Sequence, residues 1–69
     1  MSNVNNLRPT EAIRLAIEEE KKAYKFYKDA AQGATYASTK EMFLFLAEQE
    51  LKHQQMLEAE LNKDFYSEM

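Results

Sequence analysis

One proline and one glycine punctuate this 69-residue chain, at Pro9 and Gly33, and nothing between them breaks a helix. So few turn formers argue against an all-β fold, and Ala, Glu, Lys, Leu, Gln and Met dominate what remains. Pro9 suits the first helical turn, where its missing N–H costs nothing, and Thr10 is an equally good cap. Gly33 stands where a left-handed C-terminal cap belongs. Ser38-Thr39-Lys40-Glu41 reads as a capping box, with Ser38 as N-cap and Glu41 reaching back. The expectation is a polar arm over 1–8, a hairpin over 9–63 and a tail over 64–69 that extends the second helix or frays. Within the hairpin, helix 1 is expected at about 10–32 and helix 2 at about 39–62, antiparallel across about five residues.

Such a hairpin is short of core. A chain this small buries only about 60% of its unfolded surface, and usually needs a disulfide, a metal or a partner chain. Cysteine is absent, which removes disulfides, zinc ribbons and iron–sulfur clusters. A metal, a partner or both remain. With 45% hydrophobic and 30% charged residues the chain is not of the disordered class. A net charge of −3 has the wrong sign for nucleic acid. It is unevenly spread: residues 1–33 carry six basic and five acidic groups, residues 34–69 three and seven. No stretch is apolar enough for a signal peptide or a membrane span, so no membrane partner and a cytoplasmic location are expected.

Both helices carry an apolar seam. Ile13, Ile17, Glu20, Tyr24, Tyr27 and Ala31 follow spacings of three and four, as do Phe43, Leu46, Glu50, His53 and Leu57. Flanking Ala16, Ala23 and Phe26 in the first, and Met42, Leu44 and Leu51 in the second, widen each seam beyond one line. Two helices cannot bury that much surface against each other. The expected fold class is therefore all-α: an antiparallel helical hairpin that dimerises into a four-helix bundle.

Three ionisable residues, Glu20, Glu50 and His53, interrupt the seams. Burying an unpaired carboxylate costs several kcal/mol, which a small domain does not tolerate without compensation. Glu20 lies about as far before the turn as Glu50 and His53 lie after it, so all three fall at one height, within roughly one turn of 5.4 Å. Glu50 and His53 form a Glu-x-x-His pair whose members face the same way. Two carboxylates and one imidazole per hairpin, doubled by a two-fold partner, give four Glu and two His. Oxygen-rich sites with one imidazole per metal suit iron or manganese.

The segments that carry these residues resemble a known family. Residues 16–27, AIEEEKKAYKFY, are similar to the first-helix signature of rubrerythrins and related ferritin-like proteins, and residues 46–53, LAEQELKH, to their Glu-x-x-His helix. The resemblance covers roughly residues 10 to 62. It implies a ferritin-like bundle with a di-iron or di-manganese carboxylate site, with Glu20, Glu50 and His53 as ligands. It also implies a tyrosine at Tyr27 beside the metals, hydrogen-bonded to a ligand carboxylate. Tyr24, one turn beyond Glu20 on the same face, reads from its spacing as a core aromatic or a second such partner. The chain departs from the family's pattern in having one hairpin where rubrerythrins have two. It lacks the cysteine-rich rubredoxin module that lets electrons in, and it has Ala23 where some second hairpins place an extra ligand. A symmetric six-ligand site holding two irons per dimer follows.

The blander reading of Glu18 and Glu19 is a solvated face paired to Lys21 and Lys22. Two functions of different class are then in view. One is a redox metalloprotein in which iron reacts with O₂ or peroxide, fed by an electron donor the chain does not supply, as an oxidoreductase or a ferroxidase, in a homodimer or a larger iron-storing assembly. The other is a metal-free helical-hairpin dimerisation module whose buried Glu/His cluster fixes register.

Overall fold

A computed structural model of the chain describes the backbone of residues 6–67 and the side chains of residues 6–63. The expected arm over 1–8 lies largely outside these residues, as do the last two residues of the tail. Two helices account for nearly all of the described chain: α1, Pro9–Gly33, and α2, Ala37–Ser67.

Pro9 opens α1 after Arg8, which holds an extended conformation and offers no side-chain cap. The Arg8 carbonyl accepts from the Ala12 N–H at 3.0 Å, and Glu11 in the first turn suits the positive end of the helix dipole. The other end departs from expectation. No glycine among the described residues has a positive φ, and Gly33 is simply the last helical residue. The chain leaves through Ala34 in an extended conformation, φ −74° and ψ 131°, whose N–H donates to the Ala31 carbonyl at 3.3 Å. That bond satisfies a terminal carbonyl without a left-handed residue.

The connection is correspondingly tight, residues 34, 35 and 36 only. The Tyr36 carbonyl takes the first bond of α2 from the Lys40 N–H at 3.0 Å. Ser38 therefore lies inside the first turn of α2, not at its cap as the capping-box motif implied. At its far end α2 continues as helix to Ser67, beyond the 62 expected.

α1 and α2 pack side by side as an antiparallel hairpin, and no strand occurs among the described residues. Tyr27 of α1 stacks on Phe43 of α2, centroids 6.3 Å apart. The buried core is thin. Among the described residues only Ile17, Ala31 and Ala47 are buried, whereas Phe26, Phe45 and Met56 are each more than 60% exposed. The radius of gyration is 15.2 Å, against about 11 Å for a globule of this length. At the open end of the hairpin an open groove of about 690 Å³ lies between Arg14, Ile17 and Glu18 of α1 and Glu58, Leu61 and Asn62 of α2. No helix among the described residues is long and apolar enough to cross a membrane.

Candidate metal centre

Glu20 sits near the middle of α1, and Glu50 and His53 near the middle of α2. The helical periodicity that builds each seam turns all three toward the interhelical line. The antiparallel pairing then brings them to one height, as their sequence positions predict. One ligand-type atom from each residue lies within 4.8 Å of the others. His53 Nδ1 is 3.5 Å from Glu20 Oε2 and 3.7 Å from Glu50 Oε2. Both separations are longer than a hydrogen bond, and both leave room for an ion between the groups.

Exposure differs across the cluster. The Glu20 and Glu50 side chains are only about a fifth exposed, at 23% and 20%, whereas His53 is 49% exposed. The cluster thus opens to one face of the hairpin with its imidazole outermost. Glu20 Oε2 is buried and has no hydrogen-bond partner. A buried acceptor left unmatched costs on the order of 1–3 kcal/mol, so it marks an interaction that the isolated hairpin does not make. The Glu20 carboxyl is held above the ordinary carboxylate range. Sharing a hydrogen bond with the Glu50 carboxyl is the main cause; partial burial and the Glu50 charge add to it, and His53 pulls more weakly the other way.

The donor set is hard oxygen with one imidazole, and the residues fit a divalent transition metal. The neighbouring glutamates behave differently. Glu18 pairs with Lys21 and Glu19 with Lys22, each at 3.6 Å and well exposed, as ordinary surface pairs worth little. The tyrosines are placed by their rings. Tyr27 stacks on Phe43 and meets Phe26 edge-on at 5.5 Å, while the Lys28 ammonium lies 5.9 Å from the Tyr24 ring centre. Among the described residues the side-chain hydrogen bonds join Lys25 to Asp29 and Gln54 to Glu58, so neither tyrosine hydroxyl bonds a carboxylate within this hairpin. The groove at the open end shares no residue with the cluster, and no spacing motif pointed to it.

Comparison with known proteins agrees with the geometry. No curated protein and no solved structure matches the chain. The family model for rubrerythrin matches residues 1–61, nearly the full length. With a glutamate on one helix and Glu-x-x-His on the other converging in a helical hairpin, the chain belongs to the rubrerythrin family, whose members typically bind iron.

Proposed function

We propose that this protein is a non-haem di-iron carboxylate protein whose metal site lies between two subunits. The observation that supports this best is the convergence of Glu20, Glu50 and His53 around a buried, unpartnered Glu20 oxygen. Glu20 and Glu50 would supply carboxylate oxygens, and His53 one ring nitrogen, to each of two irons per dimer; manganese suits the same donors. Bound iron would supply electrons to O₂ or peroxide, as an oxidoreductase or as ferroxidase-type iron handling.

The chain's own residues prepare the place. The seam holds the carboxylates in fixed positions at mid-hairpin, and the aromatic pair Tyr27–Phe43 walls one side of the interhelical line. The Glu20 carboxyl is held above the ordinary carboxylate range, and a cation entering beside it would favour its ionised form. Tyr27 and Tyr24 would donate to ligand carboxylates once the second subunit is in place. Electrons would return to bound iron from an external donor.

The test adds iron(II) in air and follows bound iron and the visible spectrum. Wild type should retain about one iron per chain, and Glu50→Ala should bind at least tenfold more weakly. Equal iron content in both proteins would sink the proposal. The metal-free dimerisation module is the second reading, favoured by the upward displacement of the Glu20 carboxyl, which eases its burial in neutral form. It expects the cluster to stay protonated and indifferent to iron.

A further inference from the structure

The two sides of the hairpin differ in charge. On α1 the buried Ile17 and Ala31 mark the direction of α2. At about 100° per residue, Glu20 falls to one side of that direction. Arg14, Lys21, Lys25 and Lys28 fall to the other, spaced 7, 4 and 3 and within about 60° of one another. On α2 the buried Ala47, and Phe43 stacked on Tyr27, mark the direction of α1. His53 falls to one side of it, and Lys40, Leu44 and Leu51 to the other. The helices are antiparallel, so the two sets share one side of the hairpin, turned away from the cluster.

That side gathers five of the nine basic residues of a chain whose net charge is −3. Among the described residues only Glu58 joins them from the acidic ones, near the open end. Glu18 and Asp29 stand at the edge, paired with Lys21 at 3.6 Å and Lys25 at 2.8 Å. No carboxylate among the described residues pairs with Arg14, Lys28 or Lys40. Leu44, 39% exposed, lies four residues after Lys40 and at about the height of Lys25 and Lys28. Three lysines thus surround an exposed apolar side chain, an apolar centre with a charged rim, as in small transient interfaces.

This side is also coupled to the cluster by position. Tyr24, half-buried, lies four residues from Glu20 and four from Lys28, and the Lys28 ammonium is 5.9 Å from its ring centre. One line of side chains therefore runs from the basic side to a cluster residue. The smallest extent of the hairpin is 12 Å, so a redox centre seated there has a single layer of helix between it and the cluster. A second subunit completing the metal site approaches from the cluster side and leaves this side open. Resting on the di-iron reading above, we propose that the basic side is the docking surface of the external electron donor, and that this donor is an acidic one-electron carrier protein. Each reduced carrier gives up one electron and one iron(III) becomes iron(II), with no bond made or broken. Opposite charge steers the encounter, and the small contact lets the spent carrier leave.

The probe is a plant-type [2Fe–2S] ferredoxin, an acidic one-electron carrier, titrated calorimetrically against the full chain in chelator. Binding should weaken about tenfold between roughly 10 and 150 mM salt. Lys28→Glu/Lys40→Glu breaks no ion pair of the hairpin and should bind the carrier about tenfold more weakly. Lys52→Glu/Lys63→Glu changes the net charge equally, but about 120° and 140° round α2 from Lys40, and should bind within about twofold of wild type. After iron(II) and air, both double variants should hold as much iron as wild type. Reduced carrier at low concentration should bleach the first about tenfold more slowly and the second at the wild-type rate. Equal effects of the two double variants, binding indifferent to salt, or docking without a matching change in bleaching overturns the inference and leaves the di-iron reading standing. So does a single-stranded oligonucleotide that binds as tightly as the carrier, which would make the side a general polyanion surface. A sedimentation change in Lys28→Glu/Lys40→Glu alone would assign the side to contact between copies and likewise overturn it. Failure of the wild type to bind iron removes the di-iron reading itself, and the inference with it.

Discussion

Glu20 is the side chain whose surroundings are least settled in the isolated hairpin. Its carboxyl is displaced upward, first by hydrogen bonding with the Glu50 carboxyl, then by partial burial and the Glu50 charge. The folded chain therefore holds its proton more tightly than the unfolded chain. The resulting stability is present at low pH and is lost as pH rises through the ordinary carboxylate range and past the displaced value. Chemical denaturation in chelator should show the metal-free fold weakening from acid toward neutral pH. Glu20→Gln keeps the shape and removes the ionisation, so its stability should be flatter across that window and higher at neutral pH. A variant that keeps the wild-type slope would assign the pH dependence to another group. The convergence of Glu20, Glu50 and His53 was legible in the sequence because each member breaks an apolar spacing and all three count to the same distance from the turn. The unequal exposure of His53 was not, since spacing gives a direction round the helix but not how far a partner surface reaches over it.

At the scale of the helices, the interiors followed from sequence and the ends did not. Uninterrupted helix formers and the seam periodicity predict both helices, and Pro9 sits at the first position of α1. Gly33 and Ser38 carry motif chemistry that the three-residue connection does not use. A short connection is a joint property of two helices, while capping motifs describe one end at a time. Gly33 is helical, with no positive φ, and a Cβ built on it meets nothing within 4 Å. Gly33→Ala should therefore stabilise the fold by about 0.5–1 kcal/mol through the reduced freedom of the unfolded chain. Thermal melts at matched protein and metal concentration would check this. A loss of stability would mean that the glycine takes a left-handed conformation in solution.

As a whole molecule the hairpin resembles a slab more than a globule, with principal extents of 49, 27 and 12 Å. One dimension barely exceeds the width of a single helix. A slab two helices wide has little interior for large side chains, which is why, among the described residues, the buried ones are mostly alanine while Phe26 and Phe45 lie outside. Its stability should depend on what it binds. The melting temperature should rise with protein concentration when metal is present and fall when chelator is added, as for any fold linked to association. A melting temperature unmoved by either would describe a self-sufficient monomer.

The mid-helix placement of the cluster also bears on motion. Helices open from their ends, and every end of α1 and α2 lies 11 to 14 residues, three to four turns, from the nearest of Glu20, Glu50 and His53. Fraying at the termini and breathing at the connection must therefore consume at least three turns before they disturb the cluster. Amide hydrogen exchange should advance inward from both tips of the slab, and the turns around Glu20 and Glu50 should be the last to exchange.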